Sequence, residues 1–121
     1  MQDFLGEVHE NNFYELLEKA NVKNDIERKS LFYIISGNSE LYKNVHKIYD
    51  FEENSLNIEV DNEGNIFFPD LFVSSGATKL VYLAVQLYNR GNNQSVIDTF
   101  SGLDENNFEL AINAIKMRFK M

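Results

Sequence analysis

A chain of 121 residues with 19 Asp and Glu against 11 Lys and Arg, no Cys, no Trp and one Pro is the size of one domain around one core, with a radius of gyration of about 14 Å. Its 44% apolar and 25% charged residues argue against intrinsic disorder, and the lack of Cys removes disulfides, thiolate zinc sites and Cys nucleophiles. A net charge of −8 argues against duplex DNA or an anionic membrane as the direct partner, because phosphate and acidic lipid repel an acidic face.

The opening MQDFLGEVHE has neither the basic nor the apolar region of a secretory leader, and no stretch approaches the 18 apolar residues of a membrane span. A cytoplasmic protein is therefore expected. From Leu5 to Ala20, the residues Leu5, Phe13, Leu16, Leu17 and Ala20 recur at helical spacing and predict a first amphipathic helix. Asp25 is placed to cap a second helix through Ile35, with Gly37 as a left-handed C-cap. Leu41, Val45 and Ile48 form one stripe, which predicts a third helix over 39–49 joined to the second by a tight turn.

The period then changes to two. Leu56, Ile58 and Val60 alternate with Asn57 and Glu59, and the turn string DNEG leads into Ile66, Phe67 and Phe68 before Pro69. This pattern predicts one β-hairpin at about residues 56–68. Ser74 or Ser75 is placed to cap the most apolar helix, through Tyr88, which is expected to be the central buried one. Ser95 and Asp98 have capping-box spacing for a short helix to Phe100. Gly102 ends that helix, and Asp104 caps a terminal one with Phe108, Ala111, Ile112, Ile115 and Phe119 as its inward stripe. The expected fold is mainly α, a single-domain bundle of five to six helices over 1–121 with one small hairpin.

The charge is unevenly distributed. Residues 1–63 hold 14 acidic and six basic side chains, whereas residues 64–121 hold five of each, so the imbalance is N-terminal. Its densest part contains Asp50, Glu52, Glu53, Glu59, Asp61, Glu63 and Asp70, with no Lys or Arg between Lys47 and Lys79. A solvated hairpin that keeps the protein soluble is one reading of this segment; an acidic docking face for a basic partner is the other. Phe67, Phe68, Leu71 and Phe72 precede the next helix, and part of this run is expected to stay exposed as an acidic-rimmed apolar patch. The candidate partner-binding residues are thus the seven carboxylates together with Phe67 and Phe68.

Other chemistry is less well supported. Counted from Glu59, the residues Asp61, Glu63, Gly64, Ile66 and Asp70 fall on an EF-hand frame, but Glu at the first position, Asp at the last and strand-like flanks fit a plain turn better. His9 and His46 both border apolar stripes, and a His/carboxylate or metal-dependent hydrolase would need them brought together with a group such as Glu7, Asp50 or Glu53. SSGATK at 74–79 opens a helix but lacks the spacing of a phosphate-binding loop, so simple N-capping accounts for it. No catalytic residue, cofactor or metal is expected.

Four strings taken together, ERKSLFYIISG (27–37), IYDF (48–51), SSGATKLVYLAVQLYN (74–89) and LDENNFELAINAIKMRF (103–119), resemble a family of small uncharacterised proteins of Firmicutes and their phages and prophages. The chain has LFVSSG where that family has a Trp-Gln-Thr-like approach to the helix. The resemblance implies a mobile-element context in a bacterial cytoplasm and carries over no functional residue. The expected function is a non-enzymatic inhibitor that binds a basic host protein, such as a nucleic-acid-processing enzyme, through the acidic N-terminal half and hairpin. A small hydrolase and a homodimeric structural protein are the alternatives, and the chain is expected to be a monomer or a homodimer.

Overall fold

The computed structural model describes residues 4–119. The helices are α1 (Glu7–Lys19), α2 (Ile26–Gly37), α3 (Ser39–Lys43), α4 (Val45–Ile48), α5 (Ser75–Leu87), α6 (Val96–Phe100) and α7 (Glu105–Phe119). Between α4 and α5 lie β1 (Tyr49–Asp50), β2 (Ser55–Leu56), β3 (Glu59–Val60) and β4 (Ile66–Phe67). The mainly helical fold expected from the sequence is the one observed. No helix among the described residues is long and apolar enough to cross a membrane.

The centre of the bundle is α2, where the sequence pattern had pointed to α5. Every residue from Ser30 to Ser36 is buried, and α1, α5 and α7 all pack against this helix. Two serines sit within that run without penalty because their hydroxyls donate to their own helix: Ser30 to Ile26 O at 2.8 Å and Ser36 to Phe32 O at 2.7 Å. A buried hydroxyl satisfied in this way forgoes only a small part of the hydrophobic gain of its neighbours. Helix α5 is the second buried layer, with Leu80, Val81, Leu83, Ala84, Val85 and Leu87 in the core.

Helix boundaries follow their caps. Asp25 accepts from Glu27 N and Arg28 N, Ser74 from Ala77 N, and Asp104 from Asn107 N. The Ser95–Asp98 capping box is complete in both directions. Asn21 and Asn89, both at positive φ, close α1 and α5 in the left-handed conformation. Gly37 does not act as such a cap: it is the last residue of α2, and the chain leaves the helix through Asn38 at φ −124°. The expected third helix divides at Asn44, whose side chain donates to Glu40 O at 2.8 Å and competes with the helical ladder. In α7 the inward residues are Leu110, Ala111, Ala114 and Met117, whereas Phe108 and Phe119 are exposed.

The strand region forms two hairpins. Tyr49 pairs with Leu56 and Asp50 with Ser55; Glu59 pairs with Phe67 and Val60 with Ile66. Because β2 and β3 belong to different hairpins, the alternation through Leu56, Ile58 and Val60 is interrupted: Leu56 and Ile58 are half-buried and Val60 faces solvent. Arg28 holds the first hairpin to the bundle, with Nε donating to the Tyr49 hydroxyl at 2.9 Å, Nη2 to Asn54 O at 2.9 Å, and Nη1 paired to Asp25 at 2.5 Å. Its guanidinium also lies 5.3 Å from the Tyr88 ring centroid at the end of α5.

Gly37 is required for space. A methyl group there would overlap Leu110 Cδ1 on α7 and come within 3.0 Å of the His9 ring, and both neighbours are buried. Gly37→Ala is expected to destabilise by about 1–3 kcal/mol through overpacking, and Leu110→Ala alone by about 2–5 kcal/mol. The double variant is expected to cost clearly less than the sum, because each change relieves the other. Urea unfolding of the four proteins measures the coupling, and simple additivity would show that contact with Leu110 is not the reason for the glycine.

Candidate functional site

Of the residues marked by charge, Asp50, Glu52, Glu53, Asp61 and Glu63 belong to two turns, Glu59 lies in β3 and Asp70 follows β4. In the first, between β1 and β2, Asp50 accepts from Glu52 N at 2.9 Å and Glu53 N at 3.1 Å. In the second, between β3 and β4, Asp61 accepts from Glu63 N and Asn65 N, each at 2.9 Å, and Gly64 adopts φ +85°. Asp50 and Asp61 therefore build the turns. Glu52, Glu53, Glu59, Glu63 and Asp70 are exposed, and among the described residues their side chains make no hydrogen bond or ion pair.

Phe67 stands opposite Glu59 on the second hairpin and is 37% exposed, while Val60 is 54% and Phe72 85% exposed. Phe68 does not belong to this surface: it is only 8% exposed and packs edge-on against Tyr82 of α5 at 6.1 Å. Strand alternation at β4 turns Ile66 and Phe68 inward and Phe67 outward. Of the expected apolar run, Phe67 and Phe72 are thus the exposed members; Val60, also exposed, pairs with Ile66 and lies on the opposite face of the hairpin from Phe67.

The stretch free of Lys and Arg in sequence is not free of them in space. Lys19, from the end of α1, lies 4.8 Å from the Phe51 ring centroid and donates to His46 Nε2 at 3.1 Å. His46 stands edge-on to Phe51 at 5.7 Å, and a cavity of about 380 Å³ has His46, Lys47, Glu59 and Asp70 among its lining residues. A positive border therefore runs along one side of the acidic surface. Sequence distance hid this border, since Lys19 lies more than thirty positions from the turn it flanks.

The two histidines are not brought together. His9 is buried near the start of α1, its Nδ1 accepting from Leu5 N at 3.1 Å and its Nε2 donating to Tyr33 O at 2.9 Å. His46 contacts the far end of the same helix, about 15 Å away at 1.5 Å per residue. Among the described residues no group of three or more His, Asp or Glu is arranged to hold a metal ion. The start of α5 already carries an anion of the protein's own: Glu40 accepts from Ser74 N at 3.1 Å and from the Ser74 hydroxyl, and these bonds lower its pKa.

A family model described as a family of unknown function, DUF6075, matches residues 1–121. The chain belongs to DUF6075. No curated protein and no solved structure matches it.

Burial lowers the pKa of His9, more than its hydrogen bond to Tyr33 raises it. The unfolded chain therefore takes up a proton near 6.5 that the folded chain refuses. The stability due to neutral His9 is complete above about pH 6.5 and is lost as pH falls toward the lowered folded value, with a slope of at most about 1.4 kcal/mol per pH unit for one proton. Urea unfolding between pH 7.5 and 5.5 is expected to show this loss, and His9→Gln to flatten it; equal slopes in the two proteins would contradict the assignment.

Proposed function

We propose that this DUF6075 protein is a non-enzymatic interaction module of a bacterial cytoplasm, encoded by a phage or prophage, that inhibits a basic host protein. The observation that carries the reading is the surface formed by the two hairpins. Five exposed carboxylates, Glu52, Glu53, Glu59, Glu63 and Asp70, have no ion-pair partner among the described residues, and the exposed side chains of Phe67 and Phe72 lie on the second hairpin and the segment after it. Unpaired carboxylates steer a cationic partner and raise its association rate, and an aromatic in their midst supplies the desolvated contact that holds it.

A groove that normally binds nucleic-acid phosphates matches this chemistry, so the partner class is a nucleic-acid-processing enzyme. The Lys19 and Lys47 border would set the orientation, because a uniformly basic groove is repelled on that side. Asp50 and Asp61 contribute through the turns they form.

The test is a quadruple variant, Glu52→Gln, Glu53→Gln, Glu59→Gln and Glu63→Gln, compared with a Glu7→Gln, Glu10→Gln control on α1. Both are expected to keep wild-type stability within about 0.5 kcal/mol per site, because all six positions are exposed. In capture from host lysate at increasing salt, the wild type and the control are expected to retain one basic protein that salt releases. The hairpin variant is expected to lose it. Equal retention by the hairpin variant, or no retained protein at all, would sink the proposal.

A further inference from the structure

A second feature lies away from the acidic face and stands independently of it. A cavity of about 540 Å³ opens between the β3–β4 hairpin, α5 and the loop that leads into α6. That volume is in the range of small-molecule sites. Ile66 and Tyr82 contribute apolar wall, and Asn65, Thr78, Asn93 and Gln94 contribute polar wall.

The loop is fixed by its own amides. Asn92 donates through Nδ2 to Tyr82 O at 3.0 Å and accepts through Oδ1 from Gln86 Nε2 at 2.8 Å and Gln94 N at 3.0 Å. Gln94 Nε2 donates to Lys79 O and to the Thr99 hydroxyl, both at 2.9 Å. Asn93 reaches across to Asn65 on the hairpin. These bonds hold the wall in place before any ligand arrives, which lowers the ordering cost of binding.

Several groups are left over. The Tyr82 hydroxyl makes no hydrogen bond among the described residues although the residue is half-buried, and burial raises its pKa. Gln94 Oε1 and Asn93 Oδ1 remain as acceptors once the amide nitrogens have been used. Among the described residues the two charged ones that line the cavity are already engaged: Lys79 donates to Ser101 O, and Asp98 accepts from Ser95 N at 3.2 Å. Their charges are opposite, so the wall offers no net attraction to a phosphate.

An occupant that suits this wall is uncharged, flat enough to lie along Ile66 and Tyr82, and edged with N–H donors for the Gln94 and Asn93 amide oxygens. Nucleobases present such N–H donors on their edges, and an aromatic ring such as that of Tyr82 takes the base face. We propose that this cavity binds an unphosphorylated nucleoside through its base.

Titration of the full-length ¹⁵N-labelled protein with adenosine, guanosine, cytidine and uridine tests this by amide chemical shifts, with glucose and N-acetylglucosamine in parallel. At least one nucleoside is expected to shift the amides of Ile66, Thr78, Tyr82 and Gln94 saturably, with Kd below about 1 mM. Tyr82→Phe, which keeps the ring and is expected to leave the urea midpoint unchanged, and Asn93→Ala, which also removes the contact with Asn65, are each expected to weaken that binding about fivefold, the usual net worth of one hydrogen bond. The 5′-monophosphate of the same nucleoside is expected to bind within about threefold of it. Absence of saturable shifts in this cavity, binding of the sugars alone, wild-type affinity in both variants, or a gain of tenfold or more from the phosphate would each overturn the proposal.

Discussion

Helix α2 is buried on every face over seven consecutive residues, and most of the remaining architecture follows from that constraint. A helix without a solvent side must be enclosed, so α1, α5 and α7 are arranged around it. Enclosure requires close approach, which explains why a glycine stands at its last position, where α7 delivers Leu110 and α1 delivers the His9 ring. It also requires that no polar atom be stranded. Ser30 and Ser36 satisfy their hydroxyls on their own helix, and His9 spends both ring nitrogens on backbone groups, one of them the Tyr33 carbonyl of α2.

The hairpins lie outside this enclosure and are tied to it at a few points. Arg28 reaches from the first turn of α2 to Tyr49 and Asn54, so one side chain fixes the first hairpin, the helix start and the Tyr88 end of α5 together. Its pKa is raised by the Tyr49 hydroxyl and the Asp25 carboxylate, which favour the charged form more than partial burial opposes it. The second hairpin is held by Ile66 and Phe68 on the core and by the Asn65–Asn93 contact with the loop before α6. Attached in this way, the outer faces of both turns are free of structural duty.

Much of this was legible in the sequence wherever a local rule operates. Asp25, Ser74, Ser95 with Asp98, and Asp104 mark helix starts because a side-chain oxygen three residues ahead of an orphan N–H is a local requirement. What could not be read depends on neighbours distant in sequence. Periodicity ranked α5 above α2 because it counts serines as polar, whereas Ser30 and Ser36 are satisfied internally. The role of Gly37 depends on α7, and the alternation through Val60 fails because two hairpins share what looks like one strand. For the candidate site, the seven carboxylates were visible, but not the division between Asp50 and Asp61, which make turns, and the five that make none; nor was the inward turn of Phe68 visible.

That division bears on why the charge is there. Carboxylates that cap a turn stabilise the fold, so Asp50 and Asp61 need no further reason to be present. Glu52, Glu53, Glu59, Glu63 and Asp70 contact nothing that would repay their mutual repulsion, and a net charge of −8 already exceeds what solubility of a small domain calls for at the lower end. Solubility alone would also not place Phe72, 85% exposed, two residues after Asp70. At physiological salt, screening confines each charge to about 8 Å, so the border made by Lys19 and Lys47 neutralises only the side it touches. The rest of the surface keeps its field. Under the proposed function, the uncovered aromatic is the contact that resists dissociation and the carboxylates are the part that speeds encounter.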